Sequence, residues 1–291
     1  MNVIRSNVLG FCMGVRRAVA MAEEETLRVK NSGARVFTFG PLIHNPEVLN
    51  DLKIRGVEEL SRQEENIKGC SLIIRTHGVD PQCENNLRDM GAHIIDATCP
   101  RVKASQLTAE ELARAGYSLF LAGEANHAEV EGILGYVQLC NAPFCAVVDN
   151  AADAGKAAKK LYKVNHDTKT ALLGQSTISE ELYNAIGEAI GMFFPNLEII
   201  QTICASTKER QQAIRDLLEQ VDAVIIAGGK KSANTNRLLE IAQKSGKPCV
   251  LIEKASEIPP EFRSYKTVGL SAGASTPDSV IDEIEKALKR K

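Results

Sequence analysis

Short apolar runs rich in β-branched residues alternate with longer amphipathic stretches along most of the chain. The runs are VFTFG (36–40), SLIIR (71–75), HIIDA (93–97), SLFLAG (118–123), CAVV (145–148), TALLG (170–174), LEII (197–200), DAVIIAGG (222–229) and CVLI (249–252). A strand that is apolar on both faces is covered on both faces, which is the habit of parallel sheets flanked by helices. The intervening stretches, such as VRRAVAMAEEETLRVK and NRLLEIAQKSG, carry the helical period. The last segment, PDSVIDEIEKALKRK, sets Val280, Ile281, Ile284 and Leu288 on one helical face. The pattern predicts an α/β fold with parallel sheets.

A threefold organisation overlies this alternation. GFCMGVRRA, DATCPRVKAS and TICASTKERQ each follow an expected strand and open an expected helix that carries basic residues. Pro100 suits a first helical turn, and Ser206 with Glu209 reads as a capping box. Similar modules over 1–98, 99–197 and 198–291 would each offer one cysteine, Cys12, Cys99 or Cys204, from a strand-to-helix corner. No low-complexity segment separates the modules.

Length and composition narrow the function. A chain of 291 residues suggests two or three domains, and 44% apolar with 25% charged residues belongs to the globular class. Net charge is −2, aromatic residues make up 4%, and Trp is absent, so neither a basic face nor a stacking platform for nucleic acid is expected. The start, MNVIRSNVLGFC, lacks a signal-peptide core, and no apolar run approaches the roughly 20 residues of a membrane span. The expectation is a cytoplasmic protein with a small-molecule ligand and no membrane or nucleic-acid partner. Eight cysteines then read as reduced thiols used for metal binding or catalysis.

The cysteines divide by context. Cys12, Cys99 and Cys204 sit at polar corners near helix N-termini, where the helix dipole favours thiolate and a negatively charged centre. Cys145 and Cys249 lie inside apolar runs and read as small core residues, while Cys70, Cys83 and Cys140 fall near turns or on helix surfaces. No C-x-x-C pair occurs. Three corner cysteines are compatible with one shared metal site or with three inert thiols.

Three of the five histidines, His44 (LIHNPEV), His77 (RTHGVD) and His127 (NHAEVEG), follow strands in polar segments, where α/β proteins bind ligands. His93 and His166 read as structural. Glu129 lies two residues beyond His127; it is either a solvated helix-face residue or a general acid whose pKa is raised by burial. Ser176, Ser232, Asn234 and Ser275 stand at turns or helix starts, as caps or as phosphate donors. The phosphate-loop and G-x-G-x-x-G fingerprints are absent, so electrons, if required, come from another protein.

Taken in order, GFCMGVRRA, IHN, THGV, DATCP, HAEVEG, QST, the Cys204 corner, SANTNRL and AGASTPD resemble the 4-hydroxy-3-methylbut-2-enyl diphosphate reductase family, from Cys12 to Asp278. The resemblance implies a pseudo-threefold trefoil of α/β modules around one 4Fe-4S cluster held by Cys12, Cys99 and Cys204. It implies reductive dehydroxylation of the allylic diphosphate to isopentenyl and dimethylallyl diphosphate, the last step of the methylerythritol phosphate route. His44, His77, Ser232, Asn234 and Ser275 match diphosphate-binding positions, and His127 lies between diphosphate and acid. Glu129 matches the proton donor, with Ser176 helping to hold that proton. An electron donor of ferredoxin or flavodoxin type is implied as partner. Ser176 replaces the Thr of many relatives, and Ala233 stands where a second Ser is common.

Two other functions fit parts of the pattern: a hydro-lyase using an open iron as Lewis acid, and an iron–sulfur redox sensor. The sensor leaves the polar set His44, His77, His127 and Glu129 without a purpose. A structural zinc site lacks a fourth ligand at suitable spacing.

Overall fold

The computed structural model describes residues 1–60 and 66–290. Its strands are β1 (Asn2–Arg5), β2 (Val36–Phe39), β3 (Val57–Glu59), β4 (Ser71–Ile74), β5 (His93–Asp96) and β6 (Ser118–Ala122), followed by β7 (Cys145–Val148), β8 (Thr170–Gly174), β9 (Glu198–Ile199), β10 (Ala223–Ala227), β11 (Cys249–Ile252) and β12 (Thr267–Ala272). The helices are α1 (Met13–Val29), α2 (Pro46–Ile54), α3 (Pro81–Asp89), α4 (Pro100–Arg114) and α5 (Ala128–Gln138), then α6 (Ala151–Val164), α7 (Glu180–Gly191), α8 (Ala205–Leu218), α9 (Ala233–Lys244) and α10 (Asp278–Lys289). The architecture is α/β with three parallel-sheet modules, as the alternation predicts.

The chain divides into two compact units. One comprises Met1–Leu60 with Ala205–Lys291, the other Ser61–Cys204. In the first unit β1, β12, β10 and β11 form a sheet in that order, and β2 pairs with β3. In the second, β7, β6, β8 and β9 form a sheet, and β4 pairs with β5. Each of these pairings is parallel.

Strand β12 escapes an apolar-run reading because Gly269 and Ser271 interrupt it. The glycine has a packing reason: a Cβ there would lie 3.1 Å from Leu217 of α8 and 3.2 Å from Val221. The corner residues behave as expected at Pro100, the first residue of α4, but α8 begins at Ala205, so Ser206 lies inside the helix and not at its cap.

Strand order fixes where ligands can enter. In the first unit Ile225 and Leu270 pack with Ile281 and Ile284 of α10 on one face of the sheet, and Val224 and Ile226 pack with Ile214 of α8 and Leu238 of α9 on the other. The chain therefore leaves β10 and β12 toward opposite faces, opening a crevice between their carboxyl ends. The second unit repeats the device at β6 and β8, with α4 and α5 on one face and α6 and α7 on the other.

Val280, Ile281, Ile284 and Leu288 are buried, as the helical period requires. Ile284→Ala should lower the unfolding free energy by about 2–5 kcal/mol, the scale of a truncated core aliphatic. Glu283→Ala on the exposed side should stay within about 0.5 kcal/mol, both read by denaturant titration.

Candidate active site

In the first unit the loops after β10 and β12 meet tightly. A Cβ on Gly229 would fall 2.1 Å from the carbonyl oxygen of His44, so only glycine lets that carbonyl reach the end of β10. Ser275 Oγ donates to the same carbonyl at 3.2 Å, and Cys12 N–H donates to Ala274 O at 3.1 Å. Ser232 caps α9, its hydroxyl accepting from Thr235 N at 3.4 Å, and Asn234 occupies the first turn. This unit therefore gathers His44, Ser275 and Cys12 around one corner, with the start of α9 following the Gly229 turn.

The sequence did not single out two threonines here. Thr235 Oγ1 would lie 2.1 Å from a Cβ on Gly273, and Thr276 Oγ1 donates to Ala227 O at 3.0 Å. Asn234 Nδ2 and Thr235 Oγ1 are buried and have no hydrogen-bond partner among the described residues. Buried donors left in this state are costly unless a ligand or water completes them.

The second unit carries a buried carboxyl. Glu129 lies in the first turn of α5 and is 1% exposed, so it is not a solvated helix-face residue. Ser176, in the loop after β8, donates to both carboxylate oxygens, from its backbone N–H at 2.7 Å and from Oγ at 2.8 Å. Burial pushes the Glu129 carboxyl above the ordinary carboxylate range, and the two Ser176 bonds oppose that shift in part. A carboxyl so placed can hold a proton, with the hydroxyl able to turn and accept it.

His127 is the N-cap of α5, its Nδ1 accepting from Glu129 N–H at 3.2 Å. A neutral ring with Nδ1 used as acceptor carries its proton on Nε2. His77 stands edge-on to His127, with ring centroids 5.3 Å apart. Behind them lies Gln106 of α4, 1% exposed, whose amide Oε1 and Nε2 find no partner among the described residues. Its Nε2 occupies the space where side chains on Gly78 and Gly132 would stand. No local signal marks Gln106, since it is one polar residue on an otherwise ordinary helix. His93 begins β5 and His166 lies in an exposed turn.

All eight cysteines are free thiols. Cys12 and Cys99 are the N-caps of α1 and α4, and neither side chain accepts a capping hydrogen bond. Cys204 immediately precedes α8, and its N–H donates to Ser176 O at 3.0 Å. These three helices, with α9, have no acidic residue in the first turn, whereas α2, α3, α5, α6, α7 and α10 each have one or more. Positive helix ends left uncancelled at the cysteine corners and at Ser232 fit an anionic group. Among the described residues no three His, Cys, Asp or Glu side chains are grouped around a single metal-ion position. Cys145 and Cys249 pack only half-buried against the cores, and burial pushes the Cys145 thiol up to about 11.

Comparison with known proteins places the chain in a family. The LytB protein family matches residues 3–289. The 4-hydroxy-3-methylbut-2-enyl diphosphate reductase of Treponema denticola is 42% identical, covering 99% of each chain. The same-named protein of Aquifex aeolicus is also 42% identical, covering 99% of this chain and 96% of its own. Among solved structures, a reductase of (E)-4-hydroxy-3-methyl-but-2-enyl diphosphate, described as the terminal enzyme of the non-mevalonate pathway, is 41% identical with TM-score 0.72 and 99% of each chain covered. The E-1-hydroxy-2-methyl-but-2-enyl-4-diphosphate reductase of Plasmodium falciparum is 26% identical with TM-score 0.90, covering 99% of this chain and 88% of that one. With the family matched from the first strand to the last helix, the chain belongs to the LytB protein family.

Proposed function

We propose that the chain is a 4-hydroxy-3-methylbut-2-enyl diphosphate reductase, which removes the allylic hydroxyl with two electrons and two protons to give isopentenyl and dimethylallyl diphosphate. The observation that carries this reading is the buried Glu129 carboxyl held at both oxygens by Ser176. Hydroxide is a poor leaving group, and a buried carboxyl whose pKa is raised by desolvation is suited to protonate it for release as water.

Cys12, Cys99 and Cys204 would hold one 4Fe-4S cluster, consistent with their positions at helix starts and with the acid-free first turns behind them. When bound, such a cluster supplies electrons singly and a Lewis-acidic iron that lacks a thiolate. The chain's own residues do the rest. His44, His77, Ser232, Asn234 and Ser275 bind the diphosphate with imidazole, amide and hydroxyl donors. His127, which caps α5 through Nδ1, lies between the diphosphate and the acid. Glu129 delivers the proton to the departing oxygen, and Ser176 orients the carboxyl. The modules over 1–98, 99–197 and 198–291 contribute one cysteine each.

Electrons come from a carrier protein of ferredoxin or flavodoxin type, consistent with a chain that has no nucleotide-binding fingerprint. The eight free cysteines suit a reducing cytoplasm. Among the described residues no helix is long and apolar enough to cross a membrane.

Serine substitution at Cys12, Cys99 or Cys204 should each abolish most of the iron bound on anaerobic reconstitution, whereas Cys145→Ser and Cys249→Ser should retain it. Iron and acid-labile sulfide analysis decides; equal loss from Cys249→Ser would refute the ligand set.

His127→Asn preserves a cap acceptor for α5, so its unfolding free energy should stay within about 0.5 kcal/mol of wild type. The lost ring N–H should weaken substrate binding by about 1.5–3 kcal/mol, measured by calorimetry.

Glu129→Gln should cut turnover by roughly 10²-fold while leaving cluster content unchanged. It also tests the carboxyl's environment. A folded-state pKa raised by burial gives a stability contribution present below the unfolded carboxyl value of about 4.3 and lost as pH rises through the folded value. The unfolding free energy of Glu129→Gln relative to wild type should therefore increase as pH is raised from about 4.3 toward neutrality. A flat difference across that range would mean that Glu129 titrates normally.

A further inference from the structure

Exposed arginines in the last turns of the helices are neutralised locally. Arg28, Arg88 and Arg114 each meet an acid three or four residues earlier, Glu25, Glu84 and Glu110. Arg16, near the start of α1, differs. The positions three and four before it are Met13 and Cys12, and its exposed guanidinium meets no carboxylate among the described residues. It lies instead over the ring of Phe11, 5.9 Å from the centroid. Met13 is 58% exposed, and Cys12 is partly exposed.

This arrangement runs against helix stability. A cation close to the positive end of a helix is disfavoured by the dipole, and no acid in the first turn of α1 offsets it. An apolar side chain left in water contributes nothing to the core. Both features suit a contact with another protein. Arg and Met are residue types that interfaces favour, and encounters between redox proteins are made over small surfaces. The Phe11 ring already orients the guanidinium, so less freedom is lost on contact. Position adds the last constraint. Cys12 is the N-cap of α1, so a proposed cluster ligand adjoins the exposed Met13 in the chain. Electron transfer weakens steeply with distance, and a carrier has to dock where such a ligand comes near the surface.

We propose that the start of α1, with Arg16 and Met13 at its centre, is the docking surface for an acidic electron-carrier protein. This rests on the reductase reading given above. Carriers of ferredoxin or flavodoxin type bring an anionic centre, a thiolate-ligated cluster or a flavin phosphate, and Arg16 supplies the opposite charge. Each encounter oxidises one carrier by one electron, and two encounters supply the pair that each hydroxyl removal consumes.

The test uses the cluster-loaded enzyme. A flavodoxin and, in parallel, a ferredoxin are titrated calorimetrically in low and moderate salt. Turnover is followed with each reduced carrier and with a reduced viologen, a small donor that needs no docking surface. Arg16→Glu should weaken carrier binding by about tenfold or more and flatten its salt dependence. Met13→Ala should weaken binding by about threefold with the salt dependence kept. Both variants should retain wild-type iron content, reduction potential and viologen-driven turnover. Lys30→Glu makes the same charge change at the C-cap of α1, about 21 Å along the helix, and should leave binding within about twofold.

Equal loss from Lys30→Glu would reduce the effect to overall charge and overturn the inference. Unchanged carrier affinity in Arg16→Glu would overturn it too. So would an Arg16→Glu enzyme with a shifted reduction potential and slower viologen-driven turnover, since Arg16 would then serve the cluster and not the carrier. Wild-type enzyme that turns over with viologen but binds neither carrier sinks the inference alone. Wild-type enzyme that removes no hydroxyl with any donor sinks the reductase reading, and the inference with it.

Discussion

A parallel strand can be followed only by a crossover, because a tight turn would return the chain antiparallel. Each strand of these sheets therefore ends at the same edge as its neighbours, and each active loop is delivered there with a helix start behind it. The loops after β2 and β4 carry His44 and His77, those after β6 and β8 carry His127 and Ser176, and those after β10 and β12 carry Ser232 and Ser275. Where consecutive crossovers take opposite faces, at β6 with β8 and at β10 with β12, the edge splits open. The proposed site follows that geometry: its polar residues lie at or near helix starts, and the Glu129 carboxyl lies in a first turn buried against the neighbouring loop.

Much of this was legible in the sequence because continuous apolar runs survive wherever a strand is covered on both faces. The nine runs correspond to β2 and β4 through β11. The three strands missed fail that condition for identifiable reasons. β1 is a short edge strand with exposed ends, β3 is VEE at an edge, and β12 is central but broken by Gly269 and Ser271. The loss at β12 is instructive, since the glycine serves helix packing and the serine belongs to a buried polar layer; both answer to tertiary neighbours.

The candidate site was legible for a different reason. Residues that meet a ligand sit in short loops flanked by strands, so their polar character stands out against apolar context, as at NHAEVEG and GASTPD. Buried polar residues beneath them do not. Gln106 and Thr235 lie on helices where a polar residue is ordinary, and only burial reveals them. Cys145 and Cys249, expected in the core from their apolar runs, pack against it partly buried, since they begin edge strands.

Ser176 joins two parts of the second unit. Its N–H and hydroxyl hold the Glu129 carboxyl, while its carbonyl receives the N–H of Cys204. One residue thus connects the carboxyl and a cysteine corner through three short bonds, so neither can drift without the other. If Glu129 supplies a proton and Cys204 helps to hold an electron-carrying cluster, as proposed, the two are tied through a single residue.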